Sequence, residues 1–221
     1  MATYVITGAN RGIGYEYCRQ LTERGDEAIA LCRQSSGALD SLGIRVETGI
    51  DVAAEASITD LIQRLNGISI DVLINNAAIA QRISLDDLDV ESIRQQFEVN
   101  AIAPLRVTQA LLPNLKPGGK IALMSSRMGS IEDNTSGSSY GYRMSKVAIG
   151  MAGKSLAIDL KPRHIAVAIL HPGLVKTAMT HFNPNGIPPE VAVKGLLQRI
   201  DQLNLDNTGT FWHANGEVLP W

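Results

Sequence analysis

Thr7-Gly-Ala-Asn-Arg-Gly-Ile-Gly14 connects an apolar, strand-like run, Thr3–Gly8, to a stretch with helical periodicity, Ile13–Arg24. The segment carries glycines at positions 8, 12 and 14. Glycine lets a backbone turn sharply and approach a ligand closely, and the N-terminus of the following helix favours negative charge. Three glycines are also compatible with a tight turn that binds nothing. Their position at the first strand–helix junction favours a loop that binds the pyrophosphate of a dinucleotide.

Strand-like runs and helical stretches alternate along the rest of the chain. The further predicted strands are Glu27–Cys32, Ile44–Thr48, Asp71–Asn75, Lys120–Ser125, Ile165–His171 and Gly209–Trp212, and the further predicted helices are Ala53–Leu65, Leu88–Leu112, Tyr142–Leu160 and Pro188–Ile200. Several strands are apolar throughout, as in a parallel sheet that is covered on both faces. This alternation predicts an α/β fold, a doubly wound parallel sheet in a single domain over residues 1–221. Ligands of such sheets bind outside the carboxyl ends of the strands.

The composition excludes several classes of protein. The chain has 221 residues, of which 45% are hydrophobic and 19% charged, and its formal net charge is −2, so it is globular and offers no basic surface to nucleic acid or to an anionic membrane. The apolar run Ile165–Leu170 is far shorter than the ~20 residues of a membrane span. The first residues lack the basic segment of a signal peptide. Cys18 and Cys32 have no metal-ligand spacing, so we expect no metal site and a cytoplasmic protein.

The end of the second predicted strand indicates which dinucleotide is bound. NAD-binding folds of this kind usually place an acidic residue there, where it holds the ribose 2′-hydroxyl. Here Arg33 takes that place, and Arg11 in the glycine-containing loop is a second cation. Both arginines are compatible with solvated loop positions, but a guanidinium also binds a phosphate through two parallel hydrogen bonds. Their joint placement favours NADP(H).

Tyr142 and Lys146 stand four residues apart at the start of a predicted helix. At about 100° per residue, this spacing places both side chains on one helix face. A free phenol has a pKa of about 10, and a nearby ammonium and an oxidised nicotinamide are expected to lower it. An exposed Tyr/Lys pair without function is the alternative. The order of the glycine-containing loop and the pair along the chain favours proton transfer by Tyr142.

Two serines, Ser125 and Ser126, end the strand that precedes this helix. A hydroxyl there can donate a hydrogen bond to a carbonyl oxygen that gains negative charge during reaction. The alternation of side chains along a strand lets only one of the two face the cleft, and the composition does not choose between them.

This ordered set of motifs resembles the short-chain dehydrogenase/reductase family over nearly the whole chain, which implies a Rossmann-like fold. The residues that match the family's cofactor-binding positions are Gly8, Asn10, Arg11, Gly12, Ile13, Gly14, Arg33, Asp51, Val52, Asn76, Ala77, Ala78, Asn100, Tyr142, Lys146, Pro172, Gly173, Val175 and Thr177. The family's catalytic positions match Asn100, Ser126, Tyr142 and Lys146. The motif at Tyr140–Lys146 and the C-terminal tail look most like the C-factor-like and Sniffer-like branch, which includes NADPH-dependent carbonyl reductases and proteins discussed as developmental signals.

The resemblance implies a role for each catalytic position. Tyr142 would be the general acid in carbonyl reduction and the base in alcohol oxidation, and Ser126 would orient the substrate oxygen. Lys146 would hold the nicotinamide ribose and lower the pKa of Tyr142, and Asn100 would fix a water molecule in a proton relay. The sequence departs from the family pattern at Ala78, where glycine is usual, and in the 16-residue step from Ser126 to Tyr142, which is longer than is usual in the family.

The substrate pocket is predicted from the segments that follow the last long strands. Met179 and Phe182 lie in a short loop between Thr177 and Pro188, and Met128 lies on the opposite wall. The two loop residues either cover the cleft or only pack the loop onto the body of the protein.

The function that we expect is hydride transfer between NADP(H) and a carbonyl or alcohol. The alternative is a sensor or signalling module that binds NADP(H) without turnover. A dehydratase or epimerase on the same fold has less support, because the sequence shows no nucleotide-sugar site. By resemblance, we also expect a homodimer or homotetramer formed through the helices Leu88–Leu112 and Tyr142–Leu160.

Overall fold

One parallel β-sheet organises the chain, of which the computed structural model describes residues 1–221. Its strands are β1 Thr3–Thr7, β2 Glu27–Leu31, β3 Arg45–Glu47, β4 Ile70–Asn75, β5 Leu115–Met124, β6 Ala166–His171 and β7 Thr210–His213. The helices are α1 Gly12–Glu23, α2 Gly37–Asp40, α3 Glu55–Arg64, α4 Val90–Phe97, α5 Ala103–Leu111, α6 Tyr140–Asp159 and α7 Pro189–Gln202. The strand order is β3-β2-β1-β4-β5-β6-β7, and every neighbouring pair is parallel. The predicted fold, a doubly wound parallel sheet, is confirmed.

Helices cover both faces of this sheet. On one face, α1 and α7 pack against strand residues such as Ile6 and Leu170. On the other face, α3, α5 and α6 pack against residues such as Val5 and Leu73. Successive side chains of a strand point to opposite faces, so strands covered on both sides are apolar at nearly every position. This burial explains the continuous apolar runs in the sequence.

The chain order reverses at β1, which pairs with β2 on one side and with β4 on the other. The loops that leave β1 and β4 therefore diverge to opposite faces of the sheet and open a crevice at its carboxyl edge. That crevice receives the ends of β1, β4, β5 and β6, where the predicted site residues lie. None of the helices combines the length and the apolar content needed to cross a membrane. The cytoplasmic location stays a prediction.

The strand β5 begins five residues earlier than predicted. Leu115 already pairs with Ile70, and the register then shifts before Lys120 pairs with Val72. The intervening segment contains Pro117 and two glycines, which are typical of turns, so the sequence pattern hid the first part of the strand.

The predicted helix Leu88–Leu112 is interrupted. It consists of α4, a π-helical segment Glu98–Ile102, and α5. A π-helical segment inserts one extra residue in a turn without breaking the helix, so the apolar periodicity on either side still predicts one continuous helix. The segment contains Asn100, and π-bulges of this kind often lie at functional sites.

Candidate active site

Two of the three glycines in the first loop are required by packing. A Cβ on Gly14 would lie 2.2 Å from the carbonyl oxygen of Gly8 and 2.7 Å from Nδ2 of Asn76. A Cβ on Gly8 would lie 2.8 Å from the Cα of Ala77. Gly8 also has φ +66°, a conformation that side chains disfavour. These two glycines let β1, α1 and the end of β4 approach one another closely.

The third glycine lies beside open space. A Cβ on Gly12 would have only the side chain of Thr177 within 4 Å, at 3.4 Å. Gly12 begins α1, and no side-chain hydrogen bond from the N-cap residue, Arg11, caps this helix. The first turn of α1 also contains no acidic residue. The backbone N–H groups of the first turn therefore have no partner within the helix, and they face a space that suits an anion such as a pyrophosphate. Asn10 lies just before this turn, and Ile13 lies in it.

The motif at the end of β4 holds the glycine-containing loop in place. Nδ2 of Asn76 donates hydrogen bonds to the carbonyl oxygens of Thr7 (3.0 Å) and Gly8 (3.2 Å). The backbone N–H groups of Asn76 and Ala77 donate to Oγ1 of Thr7 at 2.9 and 3.0 Å. The side chain of Asn76 thus supports the loop. Ala78 follows, partly buried.

Two exposed arginines lie next to this loop. Arg11 is the N-cap of α1, and Arg33 follows β2, which pairs directly with β1. Neither guanidinium is paired with a carboxylate. Asp51 and Val52 follow β3 along the chain, and Oδ1 of Asp51 accepts a hydrogen bond from the N–H of Ala53 at 3.0 Å. The predicted cofactor-binding residues of β1, β2 and β3 therefore line one edge of the crevice.

The structure distinguishes the two serines at the end of β5. Oγ of Ser125 donates a hydrogen bond to the backbone carbonyl of Lys146 at 3.1 Å, so this hydroxyl ties the strand to α6. Oγ of Ser126 accepts a hydrogen bond from the N–H of Met128 at 3.2 Å. Ser126 is also the serine that lies next to the phenol of Tyr142 and favours its phenolate. The half-buried Met128 follows as part of a short 3₁₀ turn, Arg127–Gly129.

Tyr142 and Lys146 lie together on α6, with Nζ of Lys146 at 5.5 Å from the centre of the Tyr142 ring. Nζ donates a hydrogen bond to the backbone carbonyl of Met124 at 2.8 Å. Burial lowers the pKa of Lys146 to about 8, so the ammonium is mostly charged at neutral pH. That Lys146, together with an oxidised nicotinamide, lowers the pKa of Tyr142 stays a prediction. Burial raises the pKa of Tyr142, and the Ser126 hydroxyl offsets only part of that effect.

Asn100 connects α6 to the loop after β4. Its Oδ1 accepts a hydrogen bond from the N–H of Ile79, and its Nδ2 donates to the carbonyl of Ile79, both at 2.8 Å. Nδ2 also donates to Oγ of Ser145 at 3.0 Å, and that hydroxyl donates to the carbonyl of Tyr142 at 2.8 Å. Both polar atoms of the Asn100 side chain are thus hydrogen-bonded within the protein. Ser145, whose role the sequence did not suggest, connects it to Tyr142.

The segment Pro172–Thr177 leaves β6 and crosses toward Gly12, which Thr177 approaches. Gly173 has φ +87°, and a Cβ there would lie 3.3 Å from Nε2 of His213. Val175 is buried and forms a parallel bridge with Ile187. This bridge closes the base of the loop that contains Met179 and Phe182.

The loop itself is partly helical. Within the predicted loop, Ala178–Thr180 form a short 3₁₀ turn capped reciprocally by Thr177 and Thr180. Met179 and Phe182 are 46% and 67% exposed, so neither is a core side chain. Phe182 also has φ +51°, which is unusual for a bulky side chain. Both side chains remain available to a ligand.

A buried histidine next to this segment makes the protein sensitive to acid. The Nδ1 atom of His171 is buried without a hydrogen-bond partner, and the ring lies 5.0 Å from that of His213. Burial, together with the charges of His213 and Arg127, lowers the pKa of His171 to about 3 from an ordinary value of 6.5. Between these pH values the unfolded chain binds a proton that the folded protein excludes. The free energy of unfolding therefore falls as the pH falls from 6.5 toward 3.

The variant His171→Gln is expected to lose the part of the acid sensitivity that His171 causes. Urea unfolding between pH 7 and pH 4 should show a shallower decline in stability for His171→Gln than for the wild type. The exposed residue His164, with φ +56°, provides the control His164→Asn, which should keep the wild-type decline. Equal slopes for His171→Gln and the wild type would contradict the assignment of the acid sensitivity to His171.

Comparison with known proteins agrees with this arrangement. Residues 2–186 match the family model described as short chain dehydrogenase. A 1-hydroxy-2-glutathionyl-2-methyl-3-butene dehydrogenase of Rhodococcus sp. is 38% identical, with all of both chains covered. C-signal of Myxococcus xanthus is 42% identical over 69% of this chain and 93% of its own length.

Two solved structures share the whole fold. An NADPH-bound carbonyl reductase from chicken fatty liver has a TM-score of 0.90 and 27% identity over 100% of this chain and 99% of its own. The carbonyl reductase Sniffer of D. melanogaster has a TM-score of 0.92 and 28% identity, with both chains fully covered. The family model, the curated relatives and these structures agree with the motifs and with the sheet order. The chain belongs to the short-chain dehydrogenase/reductase family of oxidoreductases.

Proposed function

We propose that the protein is an NADPH-dependent oxidoreductase that interconverts a carbonyl compound and an alcohol, with Tyr142 as general acid or base. The observation that carries this proposal is the position of the Tyr142 phenol. It lies beside the hydroxyl of Ser126 and the ammonium of Lys146, at the same edge of the sheet as the glycine-containing loop. A proton donor, a hydrogen-bond donor and a cation converge there next to a cofactor site.

The residues present fit a dinucleotide cofactor. The free N–H groups at the start of α1 and the open space at Gly12 suit its pyrophosphate, and Asp51 with Val52 suits the adenine end. Lys146, Pro172, Gly173, Val175 and Thr177 would hold the nicotinamide end. When bound, the reduced nicotinamide supplies the hydride.

Each side chain at the site has a distinct task in carbonyl reduction. Tyr142 donates its phenolic proton to the carbonyl oxygen as negative charge develops there, and the raised pKa keeps the phenol protonated until that moment. Ser126 donates a hydrogen bond to the same oxygen. Lys146, charged at neutral pH, stabilises the phenolate that remains. Asn100 holds the Ile79 backbone and α6 in register and supports the proton relay.

We propose that Arg33, together with Arg11, selects NADPH over NADH by binding the 2′-phosphate. Each charge-assisted hydrogen bond of this kind contributes about 1.5–3 kcal/mol, so Arg33→Ala should weaken NADPH binding by roughly 10- to 100-fold. The affinity for NADH should stay within about twofold, because NADH has no 2′-phosphate. Titration of cofactor fluorescence measures both constants. An equal loss for both cofactors would contradict the assignment.

A panel of substrates tests the proposed reaction. The relative from Rhodococcus is named a dehydrogenase and the solved structures are named carbonyl reductases, and the same proton transfer serves both directions. Ketones, aldehydes and quinones should be assayed with NADPH, and alcohols, including a glutathione-conjugated one, with NADP⁺. The exposure of Met179 and Phe182 suggests an open cleft that accepts several carbonyl compounds. Strong selectivity for one compound would contradict an open cleft.

The relative named C-signal favours a second candidate, a signalling protein that binds NADP(H) without turnover. This candidate predicts tight NADPH binding and no consumption of NADPH with any member of the panel. Turnover that depends on Tyr142 would exclude it as the sole function.

We also propose that the protein associates with itself through the helical stretch from α4 to α5, predicted as Leu88–Leu112, and through α6. Ile102 and Met151 are exposed and available for such a contact, whereas Ala103 belongs to the core. A monomeric mass in light scattering would contradict a homodimer or homotetramer.

A further inference from the structure

Arg143, the residue after Tyr142, ties together two segments of the site. Its Nε donates hydrogen bonds to the carbonyl oxygens of Gly137 and Ser138, both at 3.1 Å. Nη2 donates to Oγ of Ser136 at 2.8 Å, and Nη1 donates to the carbonyl of Met128 at 3.4 Å. All four acceptors are neutral, and no carboxylate pairs with this guanidinium. The side chain therefore acts through the geometry of its donors.

The segment that Arg143 holds has a strained backbone. Gly137, Ser138 and Ser139 have φ values of +61°, +55° and +53°. Glycine adopts this left-handed conformation freely, but two consecutive serines adopt it only when the surrounding structure fixes them. Apart from Arg143, the side-chain contact that fixes Ser138 is a 3.4 Å hydrogen bond from its Oγ to the carbonyl of Ile83. The N–H of Gly137 also donates to Oδ1 of Asn134 at 3.1 Å. Arg143 alone bonds three consecutive residues of the segment, Ser136, Gly137 and Ser138.

Tyr142 lies between two anchors of α6. On one side, Gly141 packs so closely against α4 that a Cβ there would lie 2.6 Å from Nε2 of Gln96. On the other side, Arg143 reaches the Met128 carbonyl, and the Met128 N–H donates to Oγ of Ser126 at 3.2 Å. A short chain of contacts therefore runs from Ser126 through Met128 and Arg143 to the backbone of Tyr142.

We propose that Arg143 is a positioning residue that fixes the segment Ser136–Ser139 as one wall of the substrate cleft. Through the same contacts it sets the position of Ser126 relative to Tyr142. The connection from Ser126 to Tyr142 is longer than is usual in the family. Because Arg143 bonds this connection at Met128 and at Ser136–Ser138, the added residues do not displace either side chain. The expected changes in kcat and KM rest on the proposed function. The structural consequence can be measured without any substrate.

The experiment compares Arg143→Met and Arg143→Lys with the wild type. The lysine variant keeps the positive charge but loses the planar fork of donors. Hydrogen exchange followed by mass spectrometry should show roughly tenfold faster exchange in peptides that cover residues 134–141 in both variants, since the contacts that hold the segment are gone. With a carbonyl substrate, both variants should raise KM about tenfold and lower kcat less, and the Kd for NADPH should stay within about twofold.

Arg163→Met is the matched control. The guanidinium of Arg163 also donates to a backbone carbonyl, that of Leu112 at 3.1 Å, but it lies at the opposite edge of the sheet. This variant should leave exchange at residues 134–141 and both kinetic constants unchanged. If Arg143→Met does not fold, Arg143→Lys alone decides the result.

Two results would overturn the proposal. Unchanged exchange at residues 134–141 in the Arg143 variants would show that the segment holds its conformation without the arginine. Full recovery by Arg143→Lys would show that the charge matters and not the geometry. If the wild type turns over no substrate, the proposed reaction fails, and the exchange measurement still decides the role of Arg143 in ordering the wall.

Discussion

Replacing Tyr142 by phenylalanine is expected to lower kcat by roughly 10²- to 10⁴-fold, the usual contribution of a general acid. Phenylalanine keeps the ring that packs beside Lys146 and removes only the hydroxyl that lies next to Ser126. Neither the sheet nor the glycine-containing loop depends on that hydroxyl. The Kd for NADPH and the free energy of unfolding should therefore change little. Stopped-flow measurement of NADPH oxidation with the best carbonyl substrate would give the change in kcat directly.

Tyr140 provides the control for this experiment. It begins α6 two residues earlier, is 37% exposed and lies on a different face of the helix from Lys146. Tyr140→Phe should keep wild-type kcat and KM. A loss of kcat smaller than about tenfold in Tyr142→Phe would assign the proton transfer to another group, since general acids rarely contribute so little.

The variant Gly14→Ala is expected to have the largest effect on stability. Its methyl group would lie 2.2 Å from the carbonyl oxygen of Gly8. That oxygen accepts a hydrogen bond from Nδ2 of Asn76, so neither group can move without disrupting the junction of β1, α1 and β4. Overpacking typically lowers the free energy of unfolding by about 1–3 kcal/mol, and at a fixed backbone we expect a loss of about 3 kcal/mol or more. Urea unfolding monitored by circular dichroism should show a correspondingly lower midpoint.

Alanine variants at two other glycines distinguish the loss of stability caused by packing from a loss of cofactor binding. Gly12→Ala has space for its methyl group but places alanine at φ +56°, which costs about 1–2 kcal/mol. Its main effect should be weaker NADPH binding, because the methyl group faces the proposed pyrophosphate site. Gly37→Ala meets no atom within 4 Å and should change neither property. If Gly14→Ala were as stable as Gly37→Ala, the close approach of β1 and α1 would not constrain the fold.

The sequence predicted the elements whose pattern repeats along the chain. All seven strands occur near their expected positions, and Tyr142 and Lys146 share one face of α6, since strand alternation and the helical period are local properties. The π-helical segment around Asn100 was not predicted, because one additional residue in a turn leaves the periodicity on both sides intact.

Properties that depend on distant neighbours could not be read from local patterns. Burial raises the pKa of Tyr142, and the spacing of Tyr142 and Lys146 does not show how deeply the phenol is buried. The hydrogen bonds of Arg143 to Met128 and to Ser136–Ser138 join segments that no spacing rule connects. Strand alternation left Ser125 and Ser126 open, and the family resemblance favoured Ser126; in the structure the Ser125 hydroxyl bonds the backbone of α6, whereas Ser126 lies next to Tyr142.

The bridge between Val175 and Ile187 fixes the base of the loop that contains Met179 and Phe182. The N–H of Lys176 donates to the carbonyl of Ile187 at 2.9 Å, and the N–H of Ile187 donates to the carbonyl of Leu174 at 2.8 Å. The two ends of the intervening segment are therefore fixed to each other by backbone atoms, whatever side chains lie between them. In the proposed enzyme, insertions or exchanges within residues 178–186 are expected to alter which molecules enter the cleft while β6, α7 and the Tyr142 site stay in place. A library of grafted loops at this position is therefore expected to select new substrates while the proposed catalytic residues stay in place.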